Sequence, residues 1–481
     1  MPTLEWIGKS KVINHHQEVP FRVLERKYSF DESGQHDEDN GSENMIIRGD
    51  NLEALKALLP RYEGRIKCIY IDPPYNTGNE GWVYNDNVND PKIKKWLGEV
   101  VGKEGEDLTR HDKWLCMMYP RLKLLQKLLA NDGIIFISID DTECSNLILI
   151  CNEIFGASNF VANVSWQRTY SPRNDSKGIV SEVEHLVVFS KNPGWQPNKL
   201  PRTEAMDSRY KNPDNDVAPW KSSDAFAPGA ATHQGMVYAI QHPFTGEMLY
   251  PSNGRCWRYQ QSSMLEYMQG WCNYRLENLH DEKERARVCG IDESAVRKDV
   301  LAIVLEEPLE VSAAKAQKVY NRGRWPGFYF TKGGYGGIAR KTYLENVGGR
   351  LPTNLWMYEE TGHTDEAKKE LISLFGGRSP FDTPKPTRLL DFVLKVAGTS
   401  ETLMLDSFAG SGTTAHAVLN ANKADNGNRH FILIEMMDYA DSITAERVKR
   451  VIKGYGEGKN AVDGTGGNFS FYDLGEPLLV G

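Results

Sequence analysis

The sequence contains no apolar run long enough to span a bilayer, and its first residues, MPTLEWIGKSK, have no signal-peptide core. Its seven cysteines are scattered, with no CxxC pair and no histidine spacing typical of zinc ligands. From these absences we expect a cytoplasmic protein with reduced thiols, no membrane anchor, no bound metal and no catalytic cysteine.

Positive charge is also in short supply. The chain of 481 residues has 57 lysines and arginines against 65 aspartates and glutamates, a formal net charge of -8. This balance weighs against nucleic-acid binding, because phosphates are neutralised by lysine and arginine. It does not exclude a basic cleft on an acidic body. The length predicts two or three packed units.

Strand-like and helix-like segments alternate in both terminal parts of the chain. In the first part MIIRGD, IKCIYID and GIIFISID are typical of strands, and NLEALKALLPRY and KWLCMMYPRLKLLQKLLAN of helices. The alternation resumes with TRLLDFVLKVA, TLMLDSFAG, TTAHAVLNAN and HFILIEM. Apolar strands that alternate with helices indicate a parallel sheet covered on both faces. The sequence therefore predicts an α/β fold.

Between about Pro193 and Gly377 the composition shifts toward proline, glycine, tryptophan and tyrosine. One charged helix is expected there, from about Asp281 to Tyr320, in an otherwise irregular and β-containing stretch. We therefore predict three parts: residues 1–192, an inserted α+β domain over residues 193–377, and residues 378–481.

A glycine turn, DSFAGSGTT, follows a predicted strand and opens a predicted helix, which is the context of a nucleoside-binding turn. It has neither the third glycine of a dinucleotide fingerprint nor the lysine of a P-loop. Glu435 ends the next strand, about 20 residues on, where such folds bind ribose hydroxyls. The predicted ligand contacts from the turn are Asp406, Phe408, Ala409, Gly410, Gly412 and Thr413.

A second motif, Asp72-Pro73-Pro74-Tyr75, directly follows another predicted strand. The Asp72 carboxylate and the Pro73 carbonyl can each accept an N–H from an exocyclic amine, a weak nucleophile because its lone pair is conjugated with the ring. The prolines hold that carbonyl rigidly. Tyr75 offers a flat face for stacking a base taken out of a duplex. The alternative is that the prolines only end the strand and Tyr75 only packs.

These motifs resemble the DPPY and FxGxG motifs of amino-methyltransferases. Their order, with DPPY first, resembles the β class of N6-adenine DNA methyltransferases, and most closely the modification (Mod) subunits of type III restriction–modification systems. The resemblance implies a Rossmann-like methyltransferase sheet with circularly permuted motif order. It also implies S-adenosylmethionine as methyl donor and adenine N6 in double-stranded DNA as acceptor.

The same resemblance extends to other segments of the chain. IIRGDNLEAL implies that Asp50 contacts the adenine amine of S-adenosylmethionine, and FDTPKPTRLL implies that Thr383, Lys385 and Pro386 line its methionine end. The segment from Asn76 to Lys113 is expected to close over the flipped base.

The inserted domain is then a target-recognition domain. Its cations and aromatics could contact phosphates and base edges, although each one taken singly is more typical of an ordinary surface charge or core aromatic. They are Arg255, Arg258, Arg322, Arg324, Lys332, Arg340, Lys341, Trp257, Trp325, Tyr329 and Tyr335.

Two alternatives stay open at this point: methylation of cytosine N4, and a DNA-recognition subunit without turnover. The resemblance also implies a homodimer. No helicase or nuclease motif occurs in the sequence, so any cleavage of DNA would require a separate restriction subunit.

Overall fold

The computed structural model describes residues 3–77, 95, 98–100, 110–171 and 178–478. They form two compact units, one of Met1–Leu200 with Leu351–Gly481 and one of Pro201–Arg350. Most of the segment that is expected to close over a flipped base lies outside the described residues. Among the described helices, none combines the length and the apolar character that crossing a membrane requires.

Within the described residues, one eleven-stranded sheet organises the first unit. In chain order its strands are β1 (Arg22–Asp31), β2 (Gly34–His36), β3 (Met45–Arg48), β4 (Ile66–Ile71), β5 (Leu129–Ile139), β6 (Phe160–Gln167), β7 (Val183–Ser190), β8 (Leu355–Trp356), β9 (Leu403–Asp406), β10 (His430–Glu435) and β11 (Asn468–Pro477).

The order across this sheet is β8-β6-β7-β5-β4-β9-β10-β3-β11-β1-β2. All neighbours from β5 to β11 pair in parallel. Antiparallel pairs flank them, β5 with β7 on one side and β11 with β1 on the other. The predicted α/β fold is confirmed.

Helices cover both faces of the sheet. They are α1 (Lys9–Val12), α2 (His15–Glu18), α3 (Asn51–Tyr62), α4 (Arg110–Leu128), α5 (Cys144–Phe155), α6 (Tyr358–Thr361), α7 (Thr364–Leu374), α8 (Thr387–Ala397), α9 (Thr413–Asp425) and α10 (Glu446–Lys453).

Alternating residues of the strands supply two hydrophobic layers. Ile69, Ile137 and Ile432 belong to the layer that contains α3, α4 and α5. Tyr70 and Phe136 belong to the layer that contains α8, α9 and α10. Because both sides of each central strand are buried, the strands appear in the sequence as continuous apolar runs. All seven cysteines are buried and none is in a disulfide.

Strands from distant parts of the chain lie side by side at the centre of the sheet. The parallel pair β4 and β9 places Met404 opposite Cys68 and Leu405 opposite Ile69. Parallel neighbours end at the same edge, so the motifs that follow β4 and β9 are brought together. This is the arrangement that the circularly permuted motif order implies.

The second unit consists of short elements. Its helices are Glu204–Asp207, Gln261–Gln269, Glu282–Cys289 and Leu309–Arg322, and its strands are Trp220–Asp224, Phe226–Pro228, Ile240–Gln241, Met248–Leu249, Arg255–Trp257, Tyr274–Glu277, Ala302–Leu305, Phe328–Phe330 and Ile338–Tyr343. The prediction of a single charged helix from Asp281 to Tyr320 is wrong. The buried strand Ala302–Leu305 divides it, since its four apolar side chains pack in a four-stranded sheet.

The inserted unit is shorter than the range 193–377. Leu355 and Trp356 pair with Ser165 and Trp166 of β6, so β8 extends the sheet of the first unit. Leu371 of α7 packs in the core of that same unit. Residues 351–377 therefore belong with the sheet, because they bury their apolar side chains against it.

Several residues that were expected to contact DNA are core residues of the second unit. Lys341, Trp257 and Tyr329 are buried, and Arg255 pairs with Asp224 at 2.5 Å. The exposed members of the predicted set are Arg258, Arg322, Arg324, Lys332 and Tyr335. The expectation of a DNA contact is corrected for the buried three, Lys341, Trp257 and Tyr329, each of which is at most 7% exposed.

Lys341 joins three parts of this unit. Its ammonium contacts Asp214 and Asp216 at 2.5 Å each and donates to the Trp325 carbonyl at 2.8 Å. It also lies 4.9 Å from the centre of the Trp220 ring. The ion pairs of a buried ammonium with two carboxylates are costly to break, because removal of the cation leaves buried anions unpaired.

We therefore expect Lys341→Ala to lower the free energy of unfolding of the second unit by about 3–5 kcal/mol. Urea denaturation followed by tryptophan fluorescence measures it. The exposed Lys332→Ala is the matched control, with an expected change within about 0.5 kcal/mol. Equal stability of the two variants would show that Lys341 is not a structural residue.

Candidate functional site

The Asp72–Tyr75 motif begins at the carboxyl end of β4, where Asp72 is buried. Its Oδ2 lies 3.1 Å from the Lys385 Nζ. Its Oδ1 is buried and accepts no hydrogen bond from any described residue. A buried acceptor without a donor is costly, so this oxygen marks a place where a ligand N–H or O–H would be favoured.

Lys385 lies between two buried carboxylates. Besides Asp72, its Nζ contacts the Glu184 Oε2 at 3.3 Å, and it lies 5.0 Å from the centre of the Tyr75 ring. The Tyr75 hydroxyl donates to the same Glu184 oxygen at 2.9 Å. Tyr75 is therefore buried and its hydroxyl is engaged by Glu184. The stacking of a base on its ring stays a prediction.

Side chains from two helices anchor the polypeptide around this motif. Trp114 donates its indole N–H to the Pro74 carbonyl at 2.7 Å. Asn76, with a φ of 63°, donates to Glu143 at 2.6 Å. Asparagine tolerates this left-handed backbone better than most residues, so it suits the turn directly after the motif. Sequence reasoning missed Trp114 and Glu143, because nothing in their local sequence points to Pro74 or Asn76.

The glycine turn follows β9 and is tied back to it. Asp406 accepts from the Phe408 N–H at 3.0 Å and from the Thr414 hydroxyl at 2.7 Å. Gly412 has a φ of 85°, and a Cβ there would lie 3.0 Å from the Thr444 carbonyl oxygen. The turn therefore needs glycine at this position for both its backbone conformation and its close packing.

Glu435 supports the turn from β10. One carboxylate oxygen accepts from the Gly410 N–H at 2.8 Å and the other from the Met437 N–H at 2.9 Å. The carboxylate is buried. These bonds show that Glu435 fixes the backbone of the glycine turn and of the residues after β10. They do not test the predicted contact of Glu435 with ribose hydroxyls, which stays a prediction.

A buried cation supports the turn from behind. Arg447 of α10 donates to the Ser411 and Thr413 hydroxyls at 2.9 Å each. The Thr413 hydroxyl in turn donates to the Lys385 carbonyl at 3.2 Å. This chain of bonds links the glycine turn to the lysine–proline segment. Arg447 was missed because it lies in an ordinary amphipathic helix pattern.

These motifs enclose one pocket, with Asp72 from the first motif and the glycine turn on its walls. Its lining residues are Tyr70, Asp72, Phe381, Thr383, Pro384, Lys385, Asp406, Phe408, Ala409, Gly410, Ser411, Thr413 and Thr414. Most of the predicted ligand contacts are thus assembled around it. Those outside the lining are Pro73, Pro74, Tyr75, Asp50, Gly412, Pro386 and Glu435.

Asp50 lies at the start of α3 and has partners within the protein. Its carboxylate caps α3 by accepting from the Leu52 N–H at 2.8 Å, and it lies 3.6 Å from the buried Arg121. Arg121 also donates to the Asn51 side chain at 2.6 Å, and Asn51 donates to the Ser407 carbonyl at 3.1 Å. The IIRGDNLEAL segment therefore contacts the glycine turn through Asn51.

The carboxyl groups of the pocket are electrostatically coupled. Burial raises the pKa of the Asp72 carboxyl, and the Lys385 ammonium opposes this effect. Burial also raises the pKa of Asp406 to about 7, although two hydrogen bonds favour its ionised form. Within the described residues, no group of three or more His, Cys, Asp or Glu side chains is arranged to hold a metal ion.

A parallel sheet with a glycine turn and a strand-end carboxylate on adjacent strands defines a Rossmann-like protein with a ligand site at its carboxyl edge. A profile of the DNA methylase family matches residues 66–446, which include both motifs. The chain belongs to the DNA methylase family.

Curated relatives include the Mod subunit of the type III restriction-modification enzyme StyLTI from Salmonella typhimurium. It is 32% identical over 440 residues, which are 86% of this chain and 58% of that protein. The EcoPI Mod subunit of Escherichia phage P1 is 30% identical over 466 residues, 90% of this chain and 63% of that one. The chain thus spans less than two thirds of these relatives.

A type II methyltransferase is also similar. M.KpnI of Klebsiella pneumoniae is 28% identical over 403 residues, which are 82% of this chain and 81% of that protein. The similarity between M.KpnI and this chain therefore extends over most of both proteins.

The titration of Asp406 should appear in the stability of the protein. Because the pKa of Asp406 is raised from 3.8 to about 7, the folded state binds a proton between these pH values that the unfolded chain does not. The contribution of Asp406 to the free energy of unfolding therefore falls as the pH rises through this window, by at most about 1.4 kcal/mol per pH unit.

Asp406→Asn removes this titration. We expect the difference in free energy of unfolding, variant minus wild type, to be more positive at about pH 8 than at about pH 5. Urea denaturation at both pH values measures the difference. A difference between the two proteins that does not change with pH would contradict the assignment.

Proposed function

We propose that this protein is a DNA methyltransferase that transfers a methyl group from S-adenosylmethionine to N6 of an adenine in double-stranded DNA. The observation that carries the proposal is the buried Oδ1 of Asp72, which accepts no hydrogen bond from any residue that the structure describes and lies in the pocket that the glycine turn lines. An acceptor at that place suits an amine that must be held beside a bound methyl donor.

The residues of the pocket fit S-adenosylmethionine in their chemistry. The donor carries a sulfonium cation and an ammonium group, and the buried carboxyls of Asp72 and Asp406 line the pocket. Gly410 leaves room for close approach of a nucleoside to the backbone. Thr383 and Lys385 would line the methionine end, and Asp50 and Glu435 would contact the adenosine. When bound, the donor supplies the methyl group.

The protein's own part in the reaction is alignment and hydrogen bonding. Asp72 Oδ1 and the Pro73 carbonyl accept the two N–H bonds of the adenine amine, which favours the pyramidal amine of the transition state. Trp114, which holds the Pro74 carbonyl, keeps this segment in place. A base in a duplex must be flipped out to reach this site. No covalent intermediate with the protein is required.

Adenine as the acceptor rests on the likeness of Asp72–Tyr75 to the DPPY motif. DNA as the acceptor is supported by the StyLTI and EcoPI Mod subunits of restriction-modification enzymes, which are similar over most of this chain. Methylation of cytosine N4 is the second candidate function, because the same two acceptors would also suit that amine. A recognition subunit without turnover is disfavoured by the complete pocket, which unites the carboxylate and the glycine turn.

Asp72→Ala is expected to lower the rate of methyl transfer at least about 100-fold, because it removes the acceptor that favours the reacting amine. Incorporation of label from methyl-labelled S-adenosylmethionine into duplex DNA measures this rate. Replacement of the exposed Asp132 by alanine is the control and should leave the rate unchanged. Equal incorporation by wild type and Asp72→Ala would refute the catalytic role.

Analysis of the methylated nucleoside decides between the two amines. N6-methyladenine is the expected product, and N4-methylcytosine in its place would reject adenine as the acceptor. The absence of any transfer by the wild type on DNA of mixed sequence would instead favour the recognition subunit.

We further propose that the unit Pro201–Arg350 reads the target DNA, because its exposed Arg258, Arg322, Arg324 and Lys332 could contact phosphates. The protein would act in the cytoplasm beside a separate restriction subunit. It would also form a homodimer, in which one copy reads DNA while the other methylates.

The homodimer is expected to have a mass in solution of twice 54.3 kDa. Light scattering after size-exclusion chromatography measures this mass. A fully active protein with the mass of one chain would contradict the dimer.

A further inference from the structure

The Lys385 ammonium is shared between two buried carboxylates that come from different strand ends. It lies 3.1 Å from Asp72, at the end of β4, and 3.3 Å from Glu184, near the start of the antiparallel β7. All three side chains are buried. One cation thus pairs with two anions whose side chains are each at most 11% exposed, so each charge depends strongly on the other two.

Other charged or titratable groups surround this trio. Arg168, which is 43% exposed, lies 3.4 Å from the second oxygen of Glu184. The Tyr75 hydroxyl donates to Glu184, and Tyr70 and Asp406 also face Asp72 electrostatically. Lys385 is the cation in direct contact with Asp72 within the described residues.

The two carboxylate oxygens of Asp72 have different surroundings. Lys385 occupies Oδ2, whereas Oδ1 has no partner in the described part of the chain. Glu184 competes with Asp72 for the ammonium, because its Oε2 lies 3.3 Å from the same nitrogen. Without Glu184, Lys385 would be able to engage both oxygens of Asp72 and block the acceptor.

We propose that Lys385 and Glu184 are positioning residues of the methyl transfer: Lys385 keeps Asp72 in its accepting, ionised form, and Glu184 holds Lys385 so that Oδ1 stays open to the amine. This inference rests on the proposed methyltransferase function. It gives Lys385 a second task besides lining the methionine end, and it assigns a task to Glu184, which no motif singled out.

The two partners act on the Asp72 carboxyl with opposite sign. Burial raises the pKa of Asp72, the Lys385 ammonium lowers it, and the Glu184 carboxylate raises it. An aspartate must be ionised to accept both the lysine and the amine. The acid limb of the rate profile therefore reports the protonation of Asp72 in the complex with both substrates.

The experiment measures the single-turnover rate of methyl transfer against pH at saturating S-adenosylmethionine and duplex DNA. Lys385→Met should move the acid limb to higher pH by at least about one unit, a tenfold change in the proton affinity of Asp72. Lys385→Arg keeps a cation beside Asp72 and should return the acid limb most of the way to its wild-type position. Lys395→Met, on the exposed part of α8, is the matched control with an unchanged profile.

Glu184→Gln provides a second test that does not depend on the Lys385 variants. Its acid limb should move to lower pH, because an anion near Asp72 is lost, and its plateau rate should fall severalfold, because Lys385 can then cover Oδ1. Affinity for S-adenosylmethionine, measured by calorimetry, should change less than the rate does.

Acid limbs that coincide with that of wild type in Glu184→Gln and in any active Lys385 variant would overturn the inference. So would shifts of the same sign in Lys385→Met and Glu184→Gln. A wild-type protein that transfers no methyl group to DNA at any pH would place the failure in the proposed function instead.

Discussion

The parallel pairing of β4 with β9 is the constraint on which the site depends. It joins residues 68 and 69 to residues 404 and 405 in hydrogen-bonding register, across more than 300 positions of sequence. Parallel strands end at one edge, so Asp72 and the turn from Asp406 to Thr414 must open into a shared space. Replacement of either strand by a segment of different register would separate the carboxylate from the turn, whatever the motifs themselves contained.

Around that edge, the protein buries six ionisable side chains. Asp72, Glu184, Lys385, Asp406, Glu435 and Arg447 are all buried. Each has a partner that offsets its desolvation: lysine for the first two carboxylates, backbone N–H groups for Glu435, and hydroxyls for Arg447. Such a network stays rigid because any change of geometry leaves a buried charge unpaired. A rigid polar edge is what alignment of a methyl donor with an amine requires.

Much of the fold follows from local patterns. The segment NLEALKALLPRY forms α3, because Asp50 caps its first turn and its leucines recur at helical spacing. TRLLDFVLKVA likewise forms α8. The pattern failed over Asp281–Tyr320, where charge density resembled one long helix but the run Ala302–Leu305 forms a buried strand. The predicted DNA contact of Lys341 was wrong for a similar reason. A lysine among aromatic residues resembles a phosphate contact in sequence, but this lysine is buried between two aspartates.

The sequence by itself determined the candidate site motifs and the type of sheet: a carboxylate followed by prolines, a glycine turn after a strand, and an apolar alternation that builds a parallel sheet. These are local properties, carried by side-chain type and short-range spacing. The tertiary structure alone decided which groups meet. Glu184 joins Asp72 through Lys385, Arg447 supports the glycine turn, and Asp50 caps a helix. The physical reason is that contacts between distant segments depend on strand order and packing, and single residue types do not encode either.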